Sequence, residues 1–159
     1  MRDLSRSQFD TLLSILTTVI VVLVDRLTKI FFIDLLSYGE SLPVIRNFFH
    51  VTLVYNTGIA FGLLKDNGVV FLIVPIIAVA LLAYNIFYYK QNNEVLSRSY
   101  IFAFSLILGG AMGNLIDRIN YGYVIDFIDF RIWPVFNIAD SAITIGAIII
   151  AIKCFHPDK

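Results

Sequence analysis

Asp140 is the residue that most demands a chemical explanation. It is the only charge between Val135 and Ile152, in a stretch otherwise built from apolar and small polar residues. A carboxylate at the centre of a membrane helix costs roughly 2.5–3.5 kcal/mol on insertion scales, so such a residue is kept for work. Asn137, Asp140, Ser141 and Thr144 recur at i, i+3, i+4 and i+7, which places them on one face of a helix. A lone buried carboxylate is a proton site. Two close together share a proton, because both cannot ionise at once. One then takes a proton from water while the other gives one to a peptide carbonyl. That is peptide hydrolysis without a metal or a nucleophilic side chain. The second carboxylate has two candidates just upstream, Asp126 and Asp129.

Other polar residues gather beside apolar stretches. Gly110, Gly113, Asn114 and Asp117 repeat the same spacing, and Gly109 and Gly113 form a small-xxx-small pair that permits close helix approach. Asn114 and Arg118 are i, i+4 neighbours, as are Asp25 and Lys29, so the latter two can pair. The favoured role for Asp25 and Lys29 is structural: they anchor a helix end at the headgroups, with Lys29 snorkelling. Arg118 also suits a helix terminus.

Composition says what positions these residues. The chain is 58% hydrophobic and only 15% charged, with a mean hydropathy of +0.83. Soluble domains run nearer 25% charged, so this is the composition of an integral membrane protein. Zero net charge gives no argument for a nucleic-acid partner. The single cysteine, Cys154, excludes an intrachain disulfide. Two histidines, His50 and His156, and no HExxH leave a zinc peptidase almost without ligands, so no metal and no cofactor are expected. No GxSxG is present, so a serine hydrolase lacks its usual elbow.

Four stretches are long and apolar enough to cross a bilayer: about 11–33, 69–89, 100–117 and 135–153, within one domain over 1–159. Pro75 in the second is tolerable in a membrane helix. Arg2 and Arg6 precede the first, but no small-residue cleavage site follows, so it is expected to be a retained span. Between the first two spans, Phe49, Val51, Leu53 and Tyr55 alternate with polar residues, which predicts a strand. Asn56-Thr57-Gly58 then predicts a turn. A small open sheet cannot face lipid at depth and belongs at the membrane surface. Four spans put both termini on one side. The Lys and Arg residues divide equally between the two sides, and only discounting Arg26, Lys29 and Arg118 favours cytoplasmic termini. Val124 to Phe130, bracketed by Gly122 and Pro134, reads as extended. Residues three apart in an extended chain point to opposite sides, so only one of Asp126 and Asp129 can face Asp140.

Five blocks in order carry a resemblance: Asp25-Arg-Leu-Thr-Lys29, Asn56-Thr-Gly-Ile-Ala-Phe61, Gly109 through Arg118, Gly122-Tyr-Val-Ile-Asp-Phe127 and Phe136-Asn-Ile-Ala-Asp-Ser141. Together they resemble the bacterial lipoprotein signal peptidases (signal peptidase II) over nearly the whole chain. Ile59 stands where many members have a smaller residue. The resemblance implies an all-α membrane protein: four transmembrane helices, a small extracytoplasmic β-cradle and a surface-lying helix between about Asp34 and Gly68. It implies an aspartic endopeptidase with Asp126 and Asp140 as catalytic pair. Asn56, Asn114, Arg118 and Asn137 would bind substrate or support the pair, and Asp25 and Lys29 would be structural. The implied substrates are prolipoproteins bearing a diacylglyceryl cysteine, cleaved just before that cysteine. Membrane lipids and globomycin-type inhibitors are the other implied partners. The implied location is the bacterial cytoplasmic membrane, with cytoplasmic termini and an extracytoplasmic active site.

Two other classes compete. A proton-coupled small transporter subunit would use Asp140 as a relay, but the second span has only Asn85 near one end and offers little polar path. A structural or chaperone membrane protein does not explain two carboxylates beside several asparagines.

Overall fold

The computed structural model describes residues 5–58, 76, 80, 84 and 97–155. Its elements are α1 (Arg6–Leu35), β1 (Ser41–Ile45), β2 (Phe49–Asn56), α2 (Arg98–Tyr121), β3 (Val124–Asp129) and α3 (Ile138–Phe155). The second expected span, 69–89, lies outside the described residues except for Ile76, Ala80 and Tyr84, which are helical. The expected surface-lying helix also has no described counterpart beyond Gly58.

Helix α1 starts on a capping box. The Gln8 amide N–H donates to Ser5 Oγ at 3.3 Å and the Ser5 amide to Gln8 Oε1 at 2.9 Å, satisfying two otherwise orphaned donors. Thr17, Val21, Asp25 and Lys29 form its buried stripe at four-residue spacing. The other faces expose Ile20, Leu23, Leu27 and Phe31. An apolar flank of that extent is costly against water and neutral against lipid. Helix α2 has the length and composition to cross a membrane. It stops at Gly122, whose φ of +78° is left-handed and whose N–H returns to the Arg118 carbonyl at 3.1 Å, a glycine C-terminus.

Glycines let the helices close up. A Cβ on Gly109 would sit 2.8 Å from Val21 Cβ of α1, and one on Gly110 would overlap the Ala139 carbonyl oxygen of α3. Gly109 and Gly113 therefore both face α1, since Gly113 abuts Asp25 Oδ2, while Gly110 makes the seam with α3.

The three strands form one antiparallel sheet in the order β1-β2-β3. The predicted strand at Phe49–Tyr55 is β2, the extended stretch after Gly122 is β3, and β1 is an outer strand the alternation did not flag. Leu36, Leu53 and Ile125 make the core under the sheet. Beyond β3 the chain makes an excursion and returns: Phe136 exchanges backbone hydrogen bonds with Ile128 at 2.7 and 3.1 Å. Asn137 then opens α3.

Candidate active site

The site lies where β3 and the start of α3 meet the end of α2. Asn137 is the hub. Its side-chain Oδ1 accepts from the Asp140 amide at 2.9 Å, and its own amide donates to Asp140 Oδ2 at 3.4 Å. This is a reciprocal cap at a helix N-terminus, where the helix dipole also favours a carboxylate. From the same cap, Asn137 Nδ2 donates to Asp126 Oδ1 at 2.7 Å, Asn114 Oδ1 at 3.0 Å and the Ile125 carbonyl at 3.2 Å. One asparagine thus ties β3, α2 and α3 around both carboxylates.

The remaining partners complete the frame. Asn114 Nδ2 donates to Asp140 Oδ1 at 2.7 Å, and Asn56 Nδ2 donates to Asp126 Oδ2 at 3.1 Å. Asn56 is held in turn because its Oδ1 accepts from the Gly58 amide at 2.9 Å, as the predicted turn requires. Arg118 places its charge within reach of Asp140, Asp126 and Asp117. The structure therefore brings Asn56, Asn114, Arg118, Asp126, Asn137 and Asp140 together.

Asp126 is 1% exposed. Burial pushes its carboxyl up to about 7, and the neighbouring Asp140 charge adds to the shift. The amides of Asn56 and Asn137 and the Lys29 charge pull the other way. Desolvation wins because amide donors replace only part of the lost water. Asp140 is partly buried.

Asp129 is placed apart. It accepts from the Thr52 hydroxyl at 2.6 Å and the Arg131 amide at 2.8 Å, with the Arg131 guanidinium at 3.5 Å. Burial pushes its carboxyl up, but those donors and the His50 charge together hold it below the usual range. Asp129 is thus paired with Arg131, and its carboxylate is buried in the sheet.

The expectation for Asp25 and Lys29 needs correction. Lys29 does not snorkel to the headgroups; both side chains are fully buried. Lys29 Nζ meets Asp25 Oδ2 at 2.8 Å, Asp117 Oδ2 at 2.7 Å and Asn114 Oδ1 at 3.0 Å, which uses all three ammonium hydrogens. The other Asp25 oxygen accepts from the Ala139 amide at 3.0 Å. Asp117 also receives Arg26 and the Ile125 amide, the latter at 3.2 Å. The sequence places Asp117 on the polar stripe of α2, but neither it nor Arg26 is among the expected site residues. Asp117 lies three residues after Asn114 on the same helix face, and that spacing was the available signal.

The site thus sets one carboxylate, Asp126, on β3 and another, Asp140, in the first turn of α3, beside the end of a helix long and apolar enough to cross a membrane. Residues 17–156 match the family model described as signal peptidase (SPase) II. The chain belongs to that family. A protein from Halothermothrix orenii named lipoprotein signal peptidase is 40% identical over 91% of this chain and 96% of its own. One of the same name from Moorella thermoacetica is 44% identical over 90% and 93%. A solved structure described as a bacterial membrane enzyme, determined by the in meso method at 2.3 Å resolution, superposes with a TM-score of 0.81. It is 38% identical and covers 90% of this chain and 87% of its own. The chain is a membrane enzyme and a protease, and a proton-coupled transporter finds no support among these relatives.

Proposed function

We propose that the protein is an aspartic endopeptidase that removes the signal peptide from diacylglyceryl-modified prolipoproteins, cleaving before the lipidated cysteine, with Asp126 and Asp140 as its catalytic pair. The observation that carries this reading is the single asparagine-bridged network joining the two carboxylates where β3 meets α3.

The environments divide the labour. Asp140 accepts from Asn114 and sits at a helix N-terminus, which supports its ionised form as the base that activates water. Asp126, buried and raised to about 7, supports the protonated form as the acid that gives its proton to the peptide carbonyl. Charge balance points the same way. Arg26, Lys29 and Arg118 stand against Asp25, Asp117, Asp126 and Asp140. One proton shared by the pair makes the cluster neutral, which is the state a low-dielectric site favours. Asn114, Asn137 and Asn56 orient the carboxylates, while Arg118 tempers their negative charge.

Four spans with cytoplasmic termini and an extracytoplasmic site follow from the same reading. The diacylglyceryl anchor holds the scissile bond at the membrane surface, where the pair can reach it. The test is incubation of the purified protein with a diacylglyceryl-modified prolipoprotein, with and without globomycin. Globomycin-sensitive release of the signal peptide is expected. Intact substrate after prolonged incubation, beside an active relative as control, would reject the proposal.

A further inference from the structure

The excursion between β3 and α3 carries a feature that the catalytic site does not use. Phe130 through Val135 leave the sheet, and the chain returns at the Ile128–Phe136 bridge. At the tip Ile132 is 87% exposed and Trp133 57% exposed. Phe48, in the β1–β2 turn, is likewise exposed, and its ring lies 5.7 Å from that of Phe130. The tip is held in shape. Arg131 adopts a left-handed φ of 64°, pairs with Asp129 and donates to Ser41 Oγ at 2.7 Å. A held loop that presents isoleucine and tryptophan outward is built to meet something apolar.

We propose that this tip, Ile132 and Trp133 with Phe48 beside them, is an interfacial anchor that docks on the headgroup region of the bilayer and sets the height of Asp126 and Asp140 above it. Three observations select lipid. The tip leads into α3, which further along exposes Ile145, Ile148 and Ile152, a flank suited to lipid. Arg46, exposed two residues before Phe48, matches anionic headgroups, and tryptophan is enriched at that level of the membrane. An added polypeptide strand is disfavoured, since the outer strand β1 carries Pro43, which blunts an edge. The tip is welded to β3, which holds Asp126, and to α3, which holds Asp140. Its depth is therefore their depth.

Trp133 is the only tryptophan of the chain and serves as its own probe. The full-length protein is reconstituted in phosphatidylcholine–phosphatidylglycerol vesicles containing lipid brominated near the carbonyl end or near the methyl end of the acyl chain. Strong quenching by the shallow bromines, weak quenching by the deep ones and poor access to aqueous iodide are expected. Phe48→Trp in a Trp133→Phe background should repeat the pattern, and Ile132→Asp should cut the shallow quenching of Trp133 severalfold with unchanged circular dichroism. Full iodide access without lipid quenching overturns the proposal. So does emission that follows the protein-to-lipid ratio but ignores bromine, since a second copy then covers the tip. The consequence for catalysis rests on the proposed function and is read separately. Ile132→Asp should slow cleavage of bilayer-embedded prolipoprotein by roughly tenfold, the scale of one lost apolar anchor, and leave cleavage in detergent micelles unchanged. Equal loss in both media overturns the height-setting role while leaving the peptidase assignment intact.

Discussion

Asp126 and Asp129 are three residues apart and take wholly separate partners. Asp126→Asn and Asp140→Asn are each expected to abolish cleavage, since an amide neither accepts nor relays the catalytic proton. Asp129→Asn should retain substantial activity. Initial rates for the three variants at matched amounts of folded protein decide this, and an inactive Asp129→Asn beside an active Asp126→Asn would reverse the assignment. The raised Asp126 carboxyl also has a pH signature. As the acid, Asp126 must hold its proton, so the cleavage rate should fall as pH rises through about 7. Its effect on stability has the same sign. A carboxyl raised in the folded state binds its proton more tightly there than in the unfolded chain. The folded protein therefore loses stability as pH rises from about 4, the unfolded value, to about 7. Asp126→Asn should be more thermostable than the parent at pH 8 and nearly equal to it at pH 4; equal melting temperatures at both would show that burial does not strain this carboxylate. Residue types alone left Asp126 and Asp129 as alternatives, because only the pairing of β3 with β2 decides which side chain meets Asn56 and which meets Thr52.

At the scale of elements, the site depends on one cap and one seam. Asn137→Ala removes the cap of α3, which costs about 1 kcal/mol, and takes from Asp126 one of its two amide donors. Turnover should fall about a hundredfold, the scale of a catalytic group displaced by an ångström, in protein that still inserts and folds. Normal turnover would show that the bridge is incidental. Gly110→Ala would drive a methyl group into the Ala139 carbonyl, one residue before Asp140. Overpacking of this kind costs about 1–3 kcal/mol, and forcing α3 outward should lower kcat more than it raises KM. A Gly110→Ala variant with parental melting temperature and kcat would mean that the seam has slack. The polar stripes on α2 and α3 were legible from spacing, because a helix has one period and its polar residues have few places to go. The fate of Lys29 was not. A lysine near a helix end either snorkels or is buried, and the choice rests on Asp117 and Asn114, which lie far along the chain and come close only through packing. β1 was hidden for a related reason: an outer strand with Pro43 and exposed apolar residues on both faces has no alternation to read.

At the scale of the molecule, the described helices constrain the path of the chain. Asp10 near the start of α1 pairs with Arg98 at the start of α2 at 3.4 Å, so the two helices run parallel. α3 runs the other way, because its first turn meets Asn114 near the end of α2, while Gly146 lies against Ala103 near the α2 start. Arg6 and Lys153 therefore belong to the same end of the bundle, and the sheet and site to the other. The chain leaves β2 at the site end and re-enters at Ser97 at the opposite end. The residues between these two points include the expected span 69–89. On the proposed four-span reading, Met1 and Lys159 lie on one side. If the scissile bond lies outside, that side is the cytoplasm, and Arg2, Arg6, Lys90, Arg98, Lys153 and Lys159 then obey the positive-inside tendency. Reporter tags at Met1 and Lys159 should both read as cytoplasmic, and a membrane-impermeant probe on a cysteine at Glu40 should label from outside in a Cys154→Ser background. Termini on opposite sides would remove one crossing. The parallel arrangement of α1 and α2 would then need a connection that climbs the bundle without spanning the bilayer, which exposed backbone cannot do in lipid.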